Sequence, residues 1–125
     1  MTHFQIEKKL VLEFFEEVNK TKVDSLSNVI SKYTSENFKM RCTHPFNELS
    51  GSEQVANNLW KPIKDSFSPI QRRMDIFYAG INSHDINEGK WVSSMGHFMG
   101  IFNKEFLGIK PNLKSILLRY AEFYK

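Results

Sequence analysis

The sequence has little of several features that mark specialised classes of protein. It contains one cysteine, Cys42, so no internal disulfide can form, which fits a reducing cytoplasm. We interpret Cys42 as a small buried hydrophobe. No apolar run approaches the ~20 residues needed to cross a bilayer, and the polar start of the chain is unlike a signal peptide. We therefore expect a cytoplasmic protein that has no membrane partner.

A strong excess of one charge is also missing. The chain has 17 Lys and Arg residues against 14 Asp and Glu residues, and the two signs alternate along most of its length. Only Arg72 and Arg73, with Lys61 and Lys64, form a small basic cluster. Proteins that bind nucleic acids usually carry a denser basic stripe. The charge pattern therefore predicts no nucleic-acid partner.

Patterns that bind metals or cofactors are absent from the sequence as well. The four histidines, which are His3, His44, His84 and His97, have no ligand spacing with one another or with Cys42. The sequence also has no glycine-rich phosphate loop and no nucleophilic serine or cysteine motif. We therefore predict neither a metal nor a cofactor.

The chain is rich in aromatic residues for its size. Its 125 residues suit one domain, 1–125, and it is 41% hydrophobic with eleven phenylalanines. Aromatic side chains bury large areas, and they also line ligand cavities. The composition predicts a globular domain with a substantial core.

The first half of the sequence has helical periodicity. One apolar stripe identifies the first helix, and its members are Leu10, Val11, Phe14, Phe15 and Val18. A second, shorter helix ends near Tyr33. Ser50 and Glu53 have the spacing of a capping box, which predicts a third helix that bends at Pro62.

The period changes to two in the second half of the sequence. Residues 38–42 predict a short strand and residues 44–51 a loop, while long strands are predicted from residue 70, over 91–102 and over 115–124. Glycines inside the long strands, Gly80, Gly96 and Gly100, favour a strongly bent sheet. The order of elements predicts an α+β fold in which three N-terminal helices cover a curved antiparallel sheet and leave a cavity.

Several motifs in this order resemble those of the SnoaL-like polyketide cyclase family, within the nuclear transport factor 2-like superfamily. They are residues 44–51 (His-Pro-Phe-Asn-Glu-Leu-Ser-Gly), Trp60 with Pro62, Arg72-Arg73-x-Asp75-Ile76 with Gly80, Trp91-Val92, Gly96-His97-Phe98-x-Gly100, Leu107-Gly108-Ile109 with Pro111, and Arg119 with Glu122-Phe123-Tyr124. The resemblance extends over nearly the whole chain.

The resemblance implies a cone-shaped α+β barrel whose three helices close a bent sheet around a deep pocket. Cyclases of this type close a ring by an aldol reaction without metal or cofactor, and a pocket carboxylate acts as general acid and base. Other superfamily members are isomerases, dehydratases, hydrolases or binding modules, so the fold alone does not determine function. The implied partners are a small apolar molecule and a second copy, paired through the outer sheet face near Phe77, Phe98 and Phe102.

The sequence departs from the family pattern at two places. Glu122 occupies the position at which the cyclases carry a histidine, and the catalytic aspartate of the cyclases lies on a strand beyond Lys125. We therefore expect a domain that lacks the last strand of the barrel. The chain could be a fragment, a second copy could supply that strand, or the barrel could stay open and leave an unpaired edge at residues 115–124 as a template for another strand.

Glu122 is the first candidate catalytic residue. It shares a strand face with apolar and aromatic residues, which are Ile116, Leu118, Tyr120 and Tyr124. Burial of a carboxylate raises its pKa, and such a group can exchange protons near neutral pH. The alternative is a structural ion pair between Glu122 and Arg119, Arg72 or Arg73.

Two histidines are candidates to assist Glu122. His97 could act as a general base or orient a carbonyl, or it could be a core histidine bonded to the backbone. His44 lies in a loop at the expected pocket mouth, where it could be functional or could stabilise a turn.

Five further residues are predicted to contact the ligand: Trp60, Tyr120, Arg73, Trp91 and Phe14. Trp60 would form a wall of the pocket. Because Arg72 and Arg73 alternate faces, only one of them can point inward, and an internal pair between Arg73 and Asp75 is the simpler interpretation. Three hypotheses remain open: a cofactor-free enzyme acting on an apolar carbonyl compound, a non-catalytic ligand-binding module, and an assembly domain.

Overall fold

The computed structural model describes residues 4–125, so His3 lies outside the described residues. The helices are α1 Gln5–Lys20, a short 3-10 turn Val23–Ser25, α2 Leu26–Tyr33, α3 Gly51–Val55, a π-helical turn Ala56–Trp60 and α4 Lys61–Ser66. The strands are β1 Lys39–Arg41, β2 Glu48–Ser50, β3 Phe67–Ile81, β4 Lys90–Phe102 and β5 Ser115–Tyr124. The predicted α+β class is confirmed.

Two separate antiparallel sheets are present. One is the hairpin of β1 and β2, and the other is the sheet β3-β4-β5 with β4 in the middle. Within residues 4–125 these two sheets do not pair with each other, so the barrel is not closed and β5 is an edge strand. The strand β2 lies where the sequence predicted a loop.

Helix α1 packs on the inner face of the large sheet through its predicted apolar stripe. Val11, Phe14, Phe15 and Val18 are all buried, whereas Leu10 is 50% exposed. Burial of one stripe is typical of a helix that covers a sheet. Leu10 extends beyond the edge of the covered sheet, which matters for the groove described below.

The end of α1 is held by a lysine from α4. Lys64 Nζ donates hydrogen bonds to the backbone carbonyls of Val18, Asn19 and Thr21, at 2.6, 3.1 and 2.8 Å. A cation at this end of a helix satisfies unpaired carbonyls and stabilises the helix dipole. Burial lowers the pKa of Lys64. The amine is therefore engaged in the fold and does not form part of a basic surface patch.

The third helix begins and bends differently from the prediction. Ser50 forms no side-chain cap; instead its backbone N–H donates to Gln54 Oε1 at 2.9 Å, so the expected capping box with Glu53 was wrong. The distortion is a π-helical turn just before Pro62, in which the Lys61 N–H bonds to the Ala56 carbonyl. Pro62 has no N–H to continue the regular helical ladder.

The inner and outer faces of the sheet are set by its register. Glu122 pairs with Ser94 and Arg72 pairs with Phe98, so the even-numbered residues of β4 and β5 face the helices. Phe98 and Phe102 are consequently buried in the core, and Phe77 packs partly against it. The prediction that these three phenylalanines lie on the exposed outer face was therefore wrong.

Candidate functional site

A groove of about 670 Å³ lies beside the edge of β5. It lies between α1, the end of α2, β1 and β5. Its apolar wall is formed by Leu10, Val11, Phe14, Phe38, Met40, Val92, Phe123 and Tyr124. Its polar lining includes Glu7, Lys39, Arg41, Lys90, Glu122 and Lys125. A volume of this size lies within the range of ordinary ligand pockets.

Glu122 is held in a buried ion pair on the inner sheet face. Arg72 Nη1 donates to Glu122 Oε2 at 2.6 Å, and Arg72 Nη2 lies 3.4 Å from Oε1. The Tyr124 hydroxyl donates to Oε2 at 3.0 Å. Only 11% of the Arg72 side chain and 10% of the Glu122 side chain are exposed. The carboxylate is therefore satisfied by partners from β3 and β5.

Aromatic rings enclose the guanidinium of Arg72. Its Cζ lies 3.7 Å from the ring centre of Phe15, 4.6 Å from those of Phe98 and Tyr120, and 5.8 Å from that of Trp60. Attraction between a cation and the face of an aromatic ring strengthens when water is excluded. The remaining cavity beside Arg72 measures only about 20 Å³, which is room for about one water molecule. The stacked arginine occupies most of the interior where a deep pocket was expected.

The pKa values of neighbouring groups reflect this buried charge. Burial lowers the pKa of Arg72, but attraction to Glu122 outweighs it and holds the pKa above its usual value. Burial, then repulsion from Glu122, raises the pKa of Tyr124 well above its usual range. The same two causes raise the pKa of Cys42. Tyr124 therefore keeps its proton and remains a hydrogen-bond donor to Glu122.

The structure brings some of the predicted site residues together in two adjacent places. Phe14, Trp91 and Glu122 line the groove, whereas Trp60 and Tyr120 are buried behind it around Arg72. The Tyr120 hydroxyl also hydrogen-bonds with Ser94 Oγ at 2.9 Å. Trp60 and Tyr120 therefore support the Arg72–Glu122 pair and do not line the groove.

His97 and Arg73 lie on the opposite face of the sheet from Glu122. They pair with each other across β3 and β4, and both contact Asp75, through His97 Nδ1 at 3.2 Å and Arg73 Nε at 3.1 Å. The predicted pair between Arg73 and Asp75 is present, but the two side chains are 64% and 38% exposed, so the expectation that the pair would be internal was wrong. The structure therefore does not place His97 where it could assist Glu122, nor Arg73 where it could contact a ligand in the groove.

His44 is exposed in the turn that joins β1 to β2. It lines neither the groove nor the small cavity beside Arg72. The structure therefore does not bring His44 together with Glu122.

Sequence reasoning missed Leu10 and Met40 as site residues, and it named Arg72 only as one of three possible partners of Glu122. The neighbouring arginines at 72 and 73 indicated that one would face inward, but the choice depends on the register of β3. That register shifts between Met74 and Ile76. A shift of one residue exchanges the two faces of a strand, and no local sequence pattern predicted this shift.

Comparison with known proteins adds no identification. The chain matches no family model, no curated protein and no solved structure. No helix within residues 4–125 has the length and apolar character to cross a membrane. In the same range, no group of three metal-binding side chains is arranged to hold an ion.

Proposed function

We propose that this chain is a binding module that holds an extended, mostly apolar ligand in the groove beside β5. The observation that carries the proposal is the groove itself, whose volume is about 670 Å³ and whose apolar lining includes Leu10, which is 50% exposed, and the partly exposed Met40. Apolar residues left exposed together in a concave surface are typical of a binding site. The filled interior around Arg72 makes this groove the better place for a ligand.

Binding is favoured over catalysis because the carboxylate is already engaged. Arg72 contacts both oxygens of Glu122, and Tyr124 donates a third hydrogen bond. A substrate would have to displace these partners before it could exchange a proton with Glu122. Acid and base chemistry by Glu122 on an apolar carbonyl compound is the second candidate function, and it is favoured by the position of Glu122 in the groove wall.

We further propose that the domain is a cone-shaped barrel of the SnoaL-like type that is open along one side. Support comes from the helices that cover one face of a three-stranded antiparallel sheet, and from the two sheet edges that border the groove. The small-molecule partner predicted by the family resemblance would then bind at the open side of the cone.

The proposal is tested with an apolar fluorescent dye, anilinonaphthalene sulfonate, titrated into the folded protein. Leu10→Glu places a charge in the groove wall and should weaken dye binding at least tenfold. Ile6→Glu is the matched control, because Ile6 is 83% exposed on the same helix and does not line the groove. Equal dye affinity for the two variants would contradict the proposal.

A further inference from the structure

Two unpaired strand edges border the groove from opposite sides. One wall contains all three residues of β1, and the facing wall contains residues 121–125 at the end of β5. Within residues 4–125, β1 pairs only with β2 and β5 only with β4. Each of these strands therefore presents a free edge toward the same space.

A free strand edge carries backbone N–H and C=O groups that have no partner in the sheet. Such an edge is a template for another strand, and many proteins bind peptides by adding a strand to it. A strand placed in the groove would meet one free edge on each side. It would join the two sheets into one, and both of its own edges would be paired.

The side chains of β1 predict the pattern of that strand. Met40 packs toward the core, whereas the side chains of Lys39 and Arg41 are 57% and 84% exposed. Because side chains alternate between faces, a neighbouring strand would place every second residue against α1 and the others in solvent. The first set would contact Leu10 and Phe14, so apolar residues suit those positions.

The charge of the groove predicts which residues suit the solvent-facing positions of the inserted strand. The described lining residues include four basic side chains, Lys39, Arg41, Lys90 and Lys125, and two acidic ones, Glu7 and Glu122. Glu7 is paired with Lys90, Glu122 with Arg72, and Lys125 with Asp85 outside the groove. Lys39 and Arg41 share the single carboxylate of Glu48, at 3.6 and 3.5 Å. The outer side of the groove therefore carries a surplus of positive charge that acidic residues complement.

We infer that the ligand of this groove is an extended peptide strand in which apolar residues alternate with acidic ones. The inference rests on the proposed binding function and specifies the class of ligand. The strand would insert between β1 and β5, with apolar side chains against α1 and acidic side chains beside Lys39 and Arg41.

Synthetic peptides of about eight residues, the length of an ordinary strand, test the inference. The probe has alternating valine and glutamate, and a second peptide has lysine in place of glutamate. In a third peptide all valines are N-methylated, and in a fourth all glutamates are N-methylated. Each modification blocks hydrogen bonding along one edge of the peptide strand. Affinity is measured by calorimetry, and hydrogen exchange of the protein amides is followed with and without peptide.

The glutamate peptide should bind at least tenfold more tightly than the lysine peptide and than either N-methylated peptide. Exchange should slow in both β1 and β5. A variant carrying Lys39→Glu and Arg41→Glu, both at exposed positions, should reverse the preference between glutamate and lysine.

Several results would overturn the inference. They are undiminished binding of both N-methylated peptides, protection of only one of the two strands, or a second copy of the chain occupying the groove without peptide. If the dye responds to Leu10→Glu but no peptide binds, the peptide inference fails and the binding function stands. If neither dye nor peptide responds, both fail.

Discussion

At the scale of single residues, the buried Arg72–Glu122 ion pair lies at the centre of the packing between the helices and the sheet. Two charges buried to this degree lose hydration, and their mutual attraction together with hydrogen bonds must offset that loss. Here Tyr124 supplies an additional hydrogen bond, and the aromatic rings around Arg72 supply favourable contacts. Removing one member of the pair therefore costs more stability than replacing both members with apolar residues.

Removing one member of this pair should destabilise the protein strongly. Glu122→Ala leaves the Arg72 guanidinium buried without its counter-charge, so we expect the free energy of unfolding to fall by about 3–5 kcal/mol in urea denaturation. The double variant Arg72→Met, Glu122→Leu should recover most of that loss. Lys61→Ala, which breaks an exposed pair with Asp65, is the control and should leave the urea midpoint close to that of the wild-type chain. A Glu122→Ala variant as stable as this control would show that the pair contributes nothing.

At the scale of secondary structure, the register shift in the large sheet is accompanied by one close backbone approach. Gly96 in β4 lies opposite the register shift between Met74 and Ile76. A Cβ atom at Gly96 would lie 2.0 Å from the backbone carbonyl oxygen of Arg73. Only glycine allows the two strands to come this close, and β3 must bulge there to keep Arg72 facing inward.

Two glycine substitutions should therefore have opposite effects. Gly96→Ala forces the strands apart, and we expect it to lower the free energy of unfolding by about 1–3 kcal/mol. Gly80→Ala is the matched control within the same sheet, because nothing lies within 4 Å of the added methyl group. It should leave stability unchanged or raise it by up to about 1 kcal/mol. Similar urea midpoints for the two variants would argue against a close approach at Gly96.

At the scale of the whole molecule, the outer sheet face is an extended apolar surface. Ile76 and Tyr78 are each 49% exposed. The register places Ile76 opposite Met95, and Tyr78 in the same cross-strand row as Phe123. Phe98 and Phe102, which were predicted to lie on this outer face, are instead buried on the inner face of the sheet. Apolar patches of this kind often mark an interface between proteins.

We expect the chain to self-associate through this outer face, as the family resemblance implies. The double variant Ile76→Lys, Tyr78→Lys should shift the sedimentation equilibrium toward monomer, because it places charges in the centre of the face. Ile86→Lys is the control, since Ile86 is 98% exposed in the turn between β3 and β4. A wild-type chain that sediments as a monomer at high concentration would remove the basis for this expectation.

Local sequence patterns were sufficient to predict most of the elements. The apolar stripe of α1 and the alternation over residues 115–124 each identified an element, because helical and strand periods depend on neighbouring residues alone. The same alternation placed Glu122 and Tyr124 on the inner face, as observed. The sequence by itself thus determined the α+β class and the side of β5 that meets the helices.

Only the tertiary structure decided which residues meet across the fold. The bulge opposite Gly96 brings Arg72 inward and leaves His97 and Arg73 on the outer face, and both depend on how strands pair over long distances in the chain. The groove is likewise a property of two separate sheet edges, β1 and β5, which no local pattern relates to each other. Register and the spacing of distant strands arise from packing, and for that reason they could not be predicted from periodicity alone.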